Sequence, residues 1–255
     1  MKKTDMKKNI FIYTLYFSAF TIFSQSKERI DSTSKCHLFT LSYSNNGQIN
    51  NEINEFYFFK GSYTPNDDVF SYQQNEYKLN LQYEYVTKKM FSFHGKFGYS
   101  NRKDVYEISN WTPANGNKKQ NYLNFSLGAK YIYQIGKLHF STGLEIPYYR
   151  ISDYKEKFIS NDPNLNIEST IHIDGGSAVG LNNISSVRLF VSKSFFISTD
   201  LTFGILKFNL GGQTYETIDY QDPILIQNSL PYNSTFDKIT ISKPELYFGI
   251  GFKFE

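Results

Sequence analysis

The sequence predicts an all-β chain, an eight-stranded antiparallel up-and-down transmembrane β-barrel, and three observations predict it. Eight segments alternate apolar and polar residues with a period of two, the signature of strands with unlike faces. The connections between them alternate short and long. The chain carries 21 Tyr and 24 Phe against one Trp at negative mean hydropathy, and no apolar run after the first 25 residues is long enough for a membrane-spanning helix.

The amino terminus is read separately. Lys2, Lys3, Lys7 and Lys8 precede an uncharged apolar run from Ile10 to Phe23, and "FSQS" leads into a polar segment. This pattern is that of a secretory signal peptide over residues 1–25, leaving 26–255 as the mature barrel. Taking its four lysines and one aspartate from 27 basic and 24 acidic residues leaves 23 of each. The basic excess thus belongs to the signal, and no nucleic-acid partner is expected. The single cysteine, Cys36, has no partner for an internal disulfide.

The first strand sets His37, Phe39, Leu41 and Tyr43 against Thr40, Ser42 and Ser44. In "EYKLNLQYEYV" the apolar face is Tyr77, Leu79, Leu81, Tyr83 and Tyr85, with Lys78, Asn80, Gln82 and Glu84 opposite. The third, "MFSFHGKFGYS", sets Phe91, Phe93, Phe97 and Tyr99 against Ser92, His94, Lys96 and Gly98. The fourth sets Leu123, Phe125, Leu127, Ala129, Tyr131 and Tyr133 against Asn124, Ser126, Gly128 and Lys130.

Strand five opposes Leu138, Phe140, Leu144, Ile146 and Tyr148 to His139, Ser141, Gly143 and Glu145. The sixth has Val187, Leu189 and Val191 opposite Arg188, and the seventh Ile197, Leu201, Phe203 and Ile205 opposite Ser198, Asp200, Thr202 and Gly204. The eighth, "ELYFGIGFKFE", sets Leu246, Phe248, Ile250, Phe252 and Phe254 against Tyr247, Gly249, Gly251 and Lys253. A ten-stranded variant would add a hairpin from "EFYFFKGSY" at 55–63; its aromatics are consecutive, so a loop is expected there.

"TKK", "QIGK" and "SKS" are short enough for tight turns, whereas 46–76, 103–120, 151–183 and 209–241 are long and polar and are expected to be surface loops. Outer-membrane barrels show this asymmetry, with short periplasmic turns and longer extracellular connections. A soluble lipocalin-like barrel would place the apolar face inward. Glycine placement decides against it: Gly98, Gly128, Gly143, Gly204, Gly249 and Gly251 lie on the polar face, and only Gly95 on the other. A crowded lumen calls for glycine, whereas a solvated strand face does not.

The polar face carries Lys78, Lys96, Lys130, Arg188 and Lys253 with Glu84, Glu145, Asp200 and Glu245. Such mixed charge predicts an ion-paired plug, since a selective pore would be lined by one sign. Four histidines show no metal-motif spacing, and "IDGGSAVG" at 173–180 lacks the lysine and helix of a phosphate loop. No catalytic, cofactor-binding or metal residues are therefore assigned, and no cofactor. His139, Ser141 and Glu145 resemble the His-x-Ser arrangement of outer-membrane lipid A deacylases, but on the inner face, away from lipid.

The chain resembles the small outer-membrane β-barrels of OmpA/OmpX type and, more loosely, PorT-like barrels, over about residues 36 to 254. The resemblance implies the cell outer membrane as the location, with outer-membrane lipid and the outer-membrane assembly machinery as partners. Tyr247, Gly249, Phe252 and Phe254 match the terminal assembly signal of such barrels, and Glu255 departs from its usual aromatic end. The expected function is a non-enzymatic, structural or surface-binding barrel, with a surface ligand or a secretion-complex protein as candidate partner. The alternatives are a lipid-modifying enzyme and a narrow channel.

Overall fold

The computed structural model describes residues 35–44, 69–108, 114–160, 167–219, 226–228, 232–242 and 244–255. The predicted signal peptide and the segment 55–63 lie outside the described residues. Twelve strands are described: β1 (Cys36–Ser44), β2 (Val69–Val86), β3 (Phe91–Ile108), β4 (Ala114–Ile135), β5 (Leu138–Ile151) and β6 (Tyr154–Ser160), followed by β7 (Glu168–Ile173), β8 (Gly176–Phe190), β9 (Phe195–Asp219), β10 (Ile226–Asn228), β11 (Tyr232–Ile241) and β12 (Glu245–Phe254).

Eight of them close a ring. β1, β2, β3, β4, β5, β8, β9 and β12 each pair antiparallel with their neighbours, and β12 pairs with both β9 and β1. His37 stands opposite Phe254 and Tyr43 opposite Phe248, so the carboxy-terminal strand seals the sheet along most of β1. A closed sheet leaves no row of unpaired backbone groups at its edge, which is what a strand-built structure needs in hydrocarbon.

The alternation sorts the side chains as the periodicity predicts. Along β1 the burial pattern switches at every residue, with Thr40, Ser42 and Ser44 inside and Phe39, Leu41 and Tyr43 outside. The outer face of the ring carries Leu81, Phe93, Phe97, Leu127, Leu144, Ile146, Val187, Ile197 and Phe248, each more than two-fifths exposed. Aromatic pairs such as Phe39 with Tyr83 and Phe91 with Tyr131 tile neighbouring strands. Turns at 87–90, 136–137 and 191–194 share one end of the barrel with the start of β1 and the end of β12.

The opposite end differs from the expected long loops. β3 and β4 continue as a paired hairpin to Ile108 and Ala114, and β9 runs for 25 residues. A tilted transmembrane strand needs only about 9–11 residues, so these strands project well beyond any bilayer. Between β5 and β8 the chain forms a further hairpin, β6 and β7, which inserts between the upper parts of β4 and β9. β11 and β10 pair on the other edge of β9. Much of the chain at 103–120, 151–183 and 209–241 is therefore a sheet-built extension of the wall.

β11 and β12 lie on the same edge of β9 in nearly continuous register, Ile241 opposite Ile205 and Glu245 opposite Thr202. The one-residue slip falls at 242–244. Pro244 offers no amide proton to a ladder, and Ser242 bridges the break by accepting from the Gly204 amide through Oγ at 2.6 Å.

Candidate functional site

The inside of the ring is a stack of layers. At the end with the short turns, Cys36, Leu38, Val86, Ile132, Phe190 and Phe196 form an apolar cluster inside the barrel. Its thiol is free and buried. Towards the other end, Tyr122, Ile151, Ala178, Leu206, Phe208 and Leu210 make a second apolar cluster. Charged side chains lie among and between these clusters, almost fully buried.

The first charged cluster centres on Glu84. Arg188 donates from both terminal nitrogens to its two carboxylate oxygens, at 3.0 and 2.5 Å, and Lys130 stands at 3.5 Å. Gln82 donates to the same carboxylate at 2.9 Å. The contacts tie β2, β4 and β8 across the lumen. Two-point pairing of a guanidinium with a carboxylate fixes orientation as well as charge.

The second centres on Glu145 of β5. Lys96 donates to it at 2.7 Å and Asn182 at 3.1 Å, while His94 Nε2 lies at 3.3 Å and Ser126 donates at 3.4 Å. A third joins Lys78 to Glu245 at 2.5 Å and to Glu76 at 3.3 Å, with Tyr247 donating its hydroxyl to Glu245. Higher still, Arg102 meets Asp104 at 3.1 Å and Lys118 meets Glu156 at 3.7 Å.

The register explains why such large groups fit. Glu84, His94, Gly128, Glu145, Asn182 and Gly204 follow one another along a single line of opposed residues from β2 to β9. A Cβ on Gly128 would stand 2.4 Å from the His94 ring, and one on Gly204 2.3 Å from the Asn182 carboxamide. Gly98 likewise sits between Asn80 and Asn124. Glycine is interspersed with bulk because the narrow lumen has no room for a further side chain beside His94 or Asn182.

Of the nine charged residues singled out in the sequence, seven meet in these clusters. Asp200 is buried, with Oδ1 lacking a hydrogen-bond partner. Lys253 is at the rim, paired with Glu255 at 3.0 Å. The clusters also take in His94, on the polar face of its strand, and Glu76 and Asn182, which fall within segments expected to be loops but belong to β2 and β8; register places all three. In the terminal motif, Tyr247 and Gly249 point inward and Phe252 and Phe254 outward.

The catalytic arrangement considered for β5 does not assemble. The His139 ring packs on Phe190 with centroids 4.3 Å apart, and the buried Ser141 Oγ has no hydrogen-bond partner. Glu145 lies four residues further along the strand, about 13 Å away. Its carboxylate is held by Lys96, Asn182 and His94 instead. Among the described residues one group has metal-ligand geometry: Asp153, His172 and Asp174 bring one ligand atom each within 4.8 Å of one another. His172 and Asp153 pair at 3.2 Å, and Asp174 accepts from the Gln213 amide at 2.9 Å.

Exposed aromatics and aliphatics around a closed barrel, with charge inside, suit hydrocarbon and would be untenable in water. The chain is an outer-membrane-type transmembrane β-barrel, and the outer membrane is its setting. No protein-family model and no curated protein sequence matches the chain.

The solved structures that the chain resembles include outer-membrane proteins. They include Ail, the attachment invasion locus protein of Yersinia pestis, in complex with the heparin analogue sucrose octasulfate. It is 14% identical at a TM-score of 0.38, over 87% of this chain and 100% of that one. A major outer membrane protein from Thermus thermophilus is 10% identical at 0.45, over 87% and 100%. Neisserial surface protein A is 10% identical at 0.35, over 86% and 96%.

Proposed function

We propose that the chain is a non-enzymatic outer-membrane barrel whose lumen is a plug and whose working part is the sheet-built extension beyond the membrane. The observation that carries this reading is the Glu84, Arg188 and Lys130 cluster, which spans the lumen between three strands with all three groups buried. Side chains committed to one another across a narrow tube are poor carriers of a permeating ion, which must bind weakly enough to leave. With apolar clusters as well inside the barrel, the geometry favours rigidity over passage.

A rigid ring holding long strands upright is a platform for contacts at the cell surface, with a surface ligand or a secretion-complex protein as the partner class. Single-channel recording in planar bilayers tests the plug: the folded protein should give no conductance steps, and sustained ohmic steps would overturn the reading. Crosslinking on intact cells through Asn115 or Glu107, both exposed on the extension, tests the platform. Crosslinked partners are expected there, and their absence at every extension position would remove the surface-binding role.

A further inference from the structure

On the outer face of the extension, Lys103 of β3 stands directly opposite Lys119 of β4, and Lys119 directly opposite Lys155 of β6. All three are exposed. Directly opposed side chains on neighbouring strands have Cβ atoms about 4.5–5.5 Å apart, and like charges at that spacing are destabilising. Registers that align charges usually alternate their sign. Here three ammonium groups form an unbroken row, and none has an ion-pair partner among the described residues. Carboxylates of adjoining segments are engaged elsewhere, Asp153 with His172 at 3.2 Å and Glu168 with Lys157 at 2.7 Å.

The row also has a fixed height. Below Lys103 on the same face come Asn101 and then Tyr99; below Lys119 come Asn121 and then Leu123, part of the apolar belt. Asn101 and Asn121 bond to each other at 2.7 Å. Four residues of a strand tilted near 45° rise about 9 Å, and the headgroup layer outside the hydrocarbon is about 5–8 Å thick on each side. Lysine stems are long enough to bend toward the boundary while keeping the ammonium in the polar layer. The three charges therefore sit at or just above the depth of headgroup phosphates. Arg150, exposed on β5 and opposite Leu123, adds a cation nearer the belt.

We propose that the Lys103, Lys119 and Lys155 row is a binding site for the phosphate groups of an outer-leaflet glycolipid. The like-charge alignment is relieved when a phosphate bridges neighbouring ammonium groups, and the neutral Asn101 and Asn121 beneath them offer hydrogen bonds to the sugar. The site rests on the transmembrane placement proposed above and names one lipid partner that this placement supplies.

The folded full-length barrel in detergent micelles is titrated with lipid A and, separately, with the same lipid stripped of phosphate, bound lipid being read by native mass spectrometry. Retention of the phosphorylated form is expected, weakened roughly fivefold by each Lys→Gln change and on the order of a hundredfold by K103Q/K119Q/K155Q together. The triple Lys→Arg variant and K88Q/K89Q, which alters the opposite end, should retain the lipid. Heat-modifiable gel mobility, followed in parallel, reports the barrel itself, so a lost barrel is distinguished from a lost site. Equal retention of both lipid forms, unchanged retention in the triple Gln variant, or full displacement by inorganic phosphate alone would each overturn the assignment.

Discussion

Arg188 of β8 and Glu84 of β2 meet across the lumen through two hydrogen bonds, 3.0 and 2.5 Å long, although 104 residues separate them in the chain. Lys130 leans on the same carboxylate at 3.5 Å, so one anion serves two buried cations. Removing a partner from a buried pair typically costs about 3–5 kcal/mol, because the survivor stays desolvated. Glu84→Gln strands two cations and should fall at the upper end of that range. Arg188→Met leaves Glu84 with Lys130 and should cost less. Denaturant unfolding in lipid vesicles provides the comparison, and equal losses for the two variants would mean that Lys130 contributes nothing.

The luminal glycines differ in what a methyl group would strike. A Cβ on Gly143 would lie 2.0 Å from the backbone oxygen of Ala129, which is fixed in the sheet. On Gly98 the nearest atoms are the carboxamide oxygens of Asn124 and Asn80, at 1.9 and 2.0 Å, and these can swing away. Gly143→Ala should therefore destabilise more than Gly98→Ala, whose cost should be about 1–3 kcal/mol as for other overpacked interiors. Adding Asn80→Ser and Asn124→Ser should recover most of the Gly98→Ala loss and none of the Gly143→Ala loss, as read by the same unfolding assay.

His139 and Ser141 share the inner face of β5, yet Ser141 Oγ has no hydrogen-bond partner and the His139 ring is committed to Phe190. A serine nucleophile needs its base within hydrogen-bond reach and access to substrate. Membrane-lipid acylation in cells expressing His139→Ala or Ser141→Ala should equal that with the unaltered chain, by mass spectrometry of extracted lipid. A change in acyl content specific to either substitution would establish an enzymatic role.

Where one face of a strand meets lipid, the sequence is easy to read. Leu41, Leu81, Phe93, Leu127 and Ile250 mark a period of two that survives any detail of packing. The extension is hard to read for the opposite reason. In "NGNKKQN" at 115–121 both faces are polar, with Lys118 inside against Glu156 and Lys119 outside, so no hydropathy contrast separates strand from loop. Long-range charge partners were also beyond reach. That Glu145 would take Lys96, His94 and Asn182 follows from the registers of β3, β4, β5 and β8, which no local spacing encodes. Lys253, on the correct face, is too near the strand end to enter the core.

Phe196 is fully buried and stands opposite Gly251, where an added Cβ would come within 2.2 Å of its ring. Phe190 packs on it with centroids 5.1 Å apart, and the Arg188 guanidinium lies 5.6 Å above the Phe196 ring centroid. The aromatic bung and the charged plug are thus consecutive barriers, and opening one leaves the other in place. F190A/F196A should remain silent in planar bilayers. Adding E84S/R188S, which removes the bidentate pair and leaves Lys130 as the remaining charge of that cluster, should produce small conductance steps. Steps in F190A/F196A alone would show that ions pass the Glu84 cluster as it stands. Silence in the quadruple variant, with the barrel still heat-modifiable, would show that the Glu145 and Lys78 clusters suffice to close the lumen.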